Sequence, residues 1–228
     1  MPKETAFHAR TYEDAGGFIR DIGILPLSSF IPGHPSMDSI TTPQQWHTGL
    51  SDDPWLWRDR LAGEGLAAYG RFLAKKPVLI AADWFPLIKN ILEEPYSVEE
   101  RYEDGLLPKA AVDIYAAVAA EEGIDTRRLR AVTGLAAKAA KAPFDRALIE
   151  LQSKADLVIG GISDRLTADG VKSGWNSACY LTAGHWMEQH GLEPCLLPTP
   201  EAKAELRRRL GNVCGEAAQA YLYKIFRL

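Results

Sequence analysis

Apolar and polar positions alternate along this chain in several distinct rhythms, and each rhythm predicts an element. In TYEDAGGFIRDIG, residues 11–23, Phe18, Ile19 and Ile22 recur at helical spacing behind a candidate N-cap, Thr11, and Gly23 is placed to end the helix. Residues 24–54 hold five prolines among glycines and Ser/Thr/Asp clusters, a composition that predicts a long loop. Phe30, Ile31, Met37, Ile40 and Trp46 make that loop too apolar to be disordered, so it should be ordered against the rest. From Pro54 to Phe72 the spacing of Trp57, Leu61 and Tyr69 predicts a helix capped by Asp53 and frayed in its middle by Gly63 and Gly65. Val78-Leu79-Ile80 reads as a short buried strand. Asp83 is expected to cap a helix that runs to Pro95, and residues 97–105 look like a short acidic helix.

The second half has a more ordered rhythm. Residues 108–122 put Ala111, Ile114, Tyr115 and Val118 on one face, TRRLRAVTG follows as a short helix, and Phe144, Leu148 and Leu151 mark a third. Two apolar runs, 157–163 and 175–181, then predict strands joined by DRLTADGVKSG, which contains an Asp-Gly turn signal. Helix, helix, helix, strand, loop, strand is the order of a winged helix-turn-helix. Two further helices are expected at 201–210 and 215–226, and the sequence contains no internal repeat. The fold class expected is therefore α+β, mainly α. A helical, loop-rich N-terminal region with a tryptophan cluster (1–107) packs with a winged helix-turn-helix (108–190), and C-terminal helices (191–228) pack back on them.

Composition narrows the function classes. The 228 residues are 46% hydrophobic and 25% charged, ordinary globular values, with no run of about 18 apolar residues to span a bilayer. The start, MPKETAFHAR, lacks the apolar stretch of a secretory signal, so a cytoplasmic location and reduced thiols are expected. Cys179, Cys195 and Cys214 lack the spacing of a zinc or redox pair and read as core residues. A formal charge of −4 argues against nonspecific coating of nucleic acid. Yet between Thr126 and Arg146 six cations (Arg127, Arg128, Arg130, Lys138, Lys141 and Arg146) face one acid, Asp145. With Lys154 on the same helix and Lys172 in the expected wing, these are candidate contacts to double-stranded DNA, although exposed helix faces are commonly charged without any partner.

Trp46, His47, Trp55, Trp57, Arg58 and Tyr69 form the candidate pocket: aromatics beside arginine can hold an unstacked base, and large aromatics at helical spacing can equally build a core. His34, Asp38 and His47 match no ligand spacing, so neither a metal nor a cofactor is expected, and no nucleophile elbow, phosphate-binding loop or dinucleotide fingerprint is present. The paired acids Glu93-Glu94, Glu99-Glu100 and Glu121-Glu122 read as solvated faces.

The segments GILPLS (23–28), HPSMDSITTPQQWHTG (34–49), DPWLWRDRLAGEGLAAYGRF (53–72), YEDGLL (102–107), FDRALIELQ (144–152) and GWNSACY (174–180) make the chain resemble the AlkZ-related family, small bacterial proteins distantly similar to winged-helix DNA glycosylases. That resemblance implies a DNA-associated winged-helix protein with a link to DNA repair. The parent glycosylases resemble tandem winged helices that excise damaged bases with a Gln-x-Gln or Gln-x-Asp motif. The five glutamines here, Gln44, Gln45, Gln152, Gln189 and Gln219, form no such motif, so no catalytic residue carries over. Three functions remain open on the sequence: a DNA-associated protein, a base-excision or other hydrolytic enzyme using the aromatic pocket, and a non-catalytic protein-interaction module.

Overall fold

A computed structural model describes residues 7–163, 169 and 176–228. Helix α1 (Tyr12–Ile22) starts in a capping box: Thr11 Oγ1 accepts from the Asp14 N–H, and the Asp14 carboxylate accepts from the Thr11 N–H. Gly23, at φ 78°, turns the chain directly into strand β1 (Ile24–Pro26). After a 3₁₀ turn at Pro43–Gln45 comes α2 (Pro54–Gly63), then strands β2 (Ala67–Leu73) and β3 (Lys76–Ala81). The two strands are joined at Ala74 and Lys75, both at positive φ as a two-residue hairpin turn requires. Helices α3 (Phe85–Leu92), α4 (Val98–Glu103) and α5 (Lys109–Ala120) lead to β4 (Ile124–Asp125), α6 (Thr126–Val132), α7 (Lys141–Ser153), β5 (Leu157–Ser163) and β6 (Ser177–Thr182). The chain closes with α8 (Ala183–Gln189), α9 (Thr199–Val213) and α10 (Glu216–Phe226).

The six strands form one antiparallel sheet in the order β1-β3-β2-β5-β6-β4. The architecture is thus α+β, with more strand than the sequence predicts: the N-terminal half is not merely helix and loop but contributes three strands. The sheet order also carries a topological repeat that the sequence does not display. Within each half a helix precedes a short strand, helix follows (α2 alone in the first half, α6 and α7 in the second) and leads into two long strands, and the short strand pairs with the last of them. Thus β1 lies on β3 as β4 lies on β6, and the halves meet where β2 pairs with β5. At that seam the ladder registers one pair, Tyr69 with Ile159, and the buried Gln152 side chain substitutes for a missing rung by accepting from the Arg71 N–H at 3.0 Å.

The helices before the central strands cross the seam reciprocally: α2 packs on β5 as well as β2, and α7 packs on β2 as well as β5. The larger core gathers α1, α2, β1 to β3 and α8 to α10, and the smaller one gathers α4 to α7 with Leu157 and Tyr180. The C-terminal helices are tied to the first half. Trp186 Nε1 donates to the Ala62 carbonyl at 2.9 Å in the core. His34 Nε2 donates to the Ile24 carbonyl at 2.7 Å, which leaves Nδ1 as acceptor 3.7 Å from the Cys214 sulfur. Burial lowers the His34 pKa and pushes the Cys214 thiol up to about 11, so this pair is neutral packing and not an activated nucleophile. The expected wing, DRLTADGVKSG with Arg165 and Lys172, falls almost entirely outside the described residues.

Candidate functional site

The site is built on the start of α2. Asp53, buried, caps the helix by accepting from the Trp55 N–H at 2.9 Å. The same carboxylate accepts from the backbone N–H groups of His47 and Gly49, at 3.1 and 3.0 Å, and so ties the preceding loop to the helix. His47 is held at φ 61°, and its ring centre lies 4.9 Å from that of Trp55. One turn on, the Arg58 guanidinium lies flat on Trp55, 3.3 Å from the ring centre, and 5.8 Å from the Tyr69 ring. Arg58 Nε donates to Asp59 Oδ2 at 3.3 Å.

These groups wall a cavity of about 380 Å³ that opens beside the seam, with Ile159 and Ile162 of β5, Ala178 of β6 and Asn176 just before β6 also lining it. Asp59 lines it although only 6% exposed. Burial raises its pKa above the usual carboxylate value, more than the neighbouring Arg58 lowers it. Burial also raises the Tyr69 phenol, against the lowering effect of Arg58. Across the seam Tyr69 and Ile159 also line a second hollow with Arg71, Lys141, Asp145 and Gln152 of β2 and α7.

Of the aromatic residues expected to form a pocket, His47, Trp55, Arg58 and Tyr69 converge. Trp57 does not: it is 1% exposed in the core, its Nε1 donating to the Ser51 carbonyl at 2.8 Å. Trp46 packs on the core edge with Nε1 donating to Thr41 Oγ1. Asp59 gives no sequence signal, because a lone acid within a helix reads as a solvated face. It is buried because α2 is covered by β5 as well as by β2, a contact made 100 residues away in the chain. Among the described residues no group of three His, Cys, Asp or Glu side chains is placed to hold a metal, and none of the glutamines lines this cavity.

The basic residues around α6 and α7 are exposed, apart from the half-buried Arg130 and Lys154, but mostly engaged. Arg128 Nε donates to both Glu121 carboxylate oxygens, Arg127 Nε lies 3.6 Å from Asp125, Lys141 pairs with Asp145 and Lys154 with Glu94. Arg130 turns back over Phe144 and donates to the Leu135, Ala136 and Ala137 carbonyls, closing the link between the two helices. Lys138 and Arg146 are exposed without an acidic partner among the described residues, and Lys172 lies outside them. The apolar face of α7 is buried, while Lys141 and Arg146 point away from it to solvent.

A family model described as AlkZ related matches residues 9–227. The chain belongs to the AlkZ-related family. Among curated proteins and solved structures, none matches it. For this AlkZ-related chain the family relationship suggests a DNA-repair-like link and no more. Of its glutamines, Gln45 sits in the capping box of the 3₁₀ turn, Gln152 bridges the seam, and Gln219 donates to the Cys214 carbonyl. No helix among the described residues is long and apolar enough to cross a membrane.

Proposed function

We propose that this chain is a DNA-associated protein in which residues 108–190 form a winged helix-turn-helix, residues 11–81 form a unit with the same strand pairing but without the counterpart of α6, and the seam cavity receives an unstacked base. The observation that carries the reading is the cavity itself: an aromatic wall already stacked with a guanidinium, a polar floor of Arg58 and Asp59, and a volume of about 380 Å³, enough for a base. Arg58 covers a face of Trp55, so the base meets the aromatic surface of His47 and Tyr69 that also lines the cavity; such stacking contributes about 1–3 kcal/mol per base and works for any base. Phosphates are held by Lys138, Lys141 and Arg146 at the start of α7 and by Lys75 and Lys76 at the β2–β3 turn. The surface pairs Lys141–Asp145 and Lys75–Glu150 are worth only about 0–1 kcal/mol each and exchange readily for phosphate.

Fluorescence anisotropy tests this with a fully paired duplex and the same duplex carrying one bulged nucleotide, at ~50 and ~200 mM salt. The expected outcome is binding that weakens steeply with salt and is tighter for the bulge. Trp55→Ala should erase the preference for the bulge, and Lys141→Ala with Arg146→Ala should weaken both duplexes alike. Absence of binding to either duplex at the lower salt sinks the proposal. It would favour the second reading, a protein-interaction module, for which the existing engagement of Arg127, Arg128, Arg130 and Lys154 by groups of this same chain already speaks.

A further inference from the structure

We propose that the seam cavity selects guanine: the Asp59 carboxylate accepts from the adjacent N1–H and N2 amino donors of the base while Arg58 donates to O6. The inference rests on the reading of this cavity as a base pocket and names which base it takes. Guanine is the base whose Watson–Crick edge places two N–H donors side by side, next to one acceptor. A carboxylate offers two oxygens with about four lone-pair sites, so it matches two adjacent donors at once. Adenine, cytosine and thymine each offer a carboxylate one ring or amino position and set an acceptor beside it, where the second oxygen would be repelled.

Two features of the pocket support the assignment. Arg58 Nε is 3.3 Å from Asp59 Oδ2, a long contact that leaves the carboxylate with accepting capacity and leaves the Nη groups of a guanidinium pinned on Trp55 as directed donors. Asp59 is the ion-pair partner of Arg58, whose side chain is itself only 15% exposed, so a base edge entering the cavity would add donors to an existing pair. Asp53 already caps α2, and among the described residues Asp59 bonds only to its chain neighbour, although it is 94% withdrawn from solvent by its 6% exposure. Among the described residues the buried side-chain oxygens without a partner belong to Asn90 and Asp156, so the Asp59 oxygen that Arg58 leaves free is open to the cavity, and a base edge with two donors fits it. Asp59 would then be the residue that determines specificity, and Trp55 the surface that holds the Arg58 guanidinium in place.

The test is an anisotropy titration at ~50 mM salt against five duplexes identical except for one bulged nucleotide bearing guanine, hypoxanthine, adenine, cytosine or thymine. The guanine bulge should bind roughly 5- to 150-fold more tightly than the adenine, cytosine and thymine bulges. Hypoxanthine, which keeps N1–H and O6 but lacks the N2 amino group, should fall between. Asp59→Asn should bring the guanine bulge down to the others while leaving the salt-dependent component unchanged. Equal binding of all five by the wild-type protein, or a preference for another base, overturns guanine selection and leaves the base pocket standing. Equal binding of guanine and hypoxanthine, or a guanine preference that survives Asp59→Asn, overturns the role of Asp59. Loss of all binding overturns both readings, and the hypoxanthine comparison needs no variant to fold.

Discussion

Arg101 and Asp156 meet at 2.7 Å with side chains 4% and 11% exposed, yet the carboxyl pKa is pushed up to about 6, because burial outweighs the attraction of the guanidinium. The cause is local: Oδ1 accepts from Arg101, while Oδ2 is buried with no hydrogen-bond partner among the described residues. A raised carboxyl pKa means that folding favours the neutral acid. Its contribution to stability is complete below the unfolded value near 3.8 and is lost as pH rises through about 6. Carboxyl-detected NMR should therefore place the Asp156 midpoint near 6 and not near 3.8. Arg101→Met leaves that carboxylate buried and unpaired, so chemical denaturation should register a loss of about 3–5 kcal/mol at pH 8 and distinctly less at pH 5. Adding Asp156→Leu should recover most of it. An equal loss at both pH values would refute the assignment.

At the level of elements, Asp53 links helix formation to the candidate site, since one carboxylate caps α2 and anchors both His47 and Gly49. Asp53→Ala is expected to lower stability by about 1–2 kcal/mol and, by freeing the loop that carries His47, to weaken the preference for a bulged nucleotide. Thr11→Ala removes a comparable cap on α1, away from the cavity, and should cost about 1 kcal/mol with no effect on that preference. If the two variants behave alike in the binding assay, the loop does not shape the pocket. Most helices were legible in the sequence, Asp53 and Thr11 as caps among them, because capping and 3.6-residue periodicity are local. The segment after Gly63 was not: it reads as a continuing helix but forms β2. Gly65, at φ 72°, breaks the helix where an added Cβ would stand 2.3 Å from the His190 ring. Ala67 through Gly70 are all buried, so the strand shows none of the alternation that betrays a sheet with one wet face. The two- and three-residue strands β4 and β1 are too short to leave a pattern at all. The pocket was half legible for the same reason: Trp55 and Arg58 are close in sequence, whereas the burial of Asp59 depends on β5.

For the whole molecule, the reciprocal crossing of α2 and α7 makes the two topological halves depend on each other. Residues 1–107 and 108–190 read as two packed units by sequence; the central ladder between them is nearly bare, with one registered pair, so cohesion across it comes from helices that straddle it and from the Gln152 bridge. A fragment ending at residue 107 would expose the β2 edge, the face of α2 that β5 covers, and the core positions filled by Trp186, Leu206, Leu210 and Leu222. Those four side chains alone represent about 1.5–3 kcal/mol of burial each, more than a marginally stable half can lose. The full chain should accordingly unfold in urea as a single transition seen alike by far-ultraviolet circular dichroism and tryptophan fluorescence, and the fragment should lack cooperative unfolding. Gln152→Ala should shift the midpoint downward by an amount equivalent to about 1–3 kcal/mol while the transition stays single, because it strips the Arg71 N–H of its partner at the seam. Two resolved transitions, or a fragment that melts cooperatively by itself, would show instead that the seam is a contact between independent domains. The cavity beside it would then be a cleft whose width varies with domain motion, and base selection by fixed groups such as Arg58 and Asp59 would lose its rigid frame.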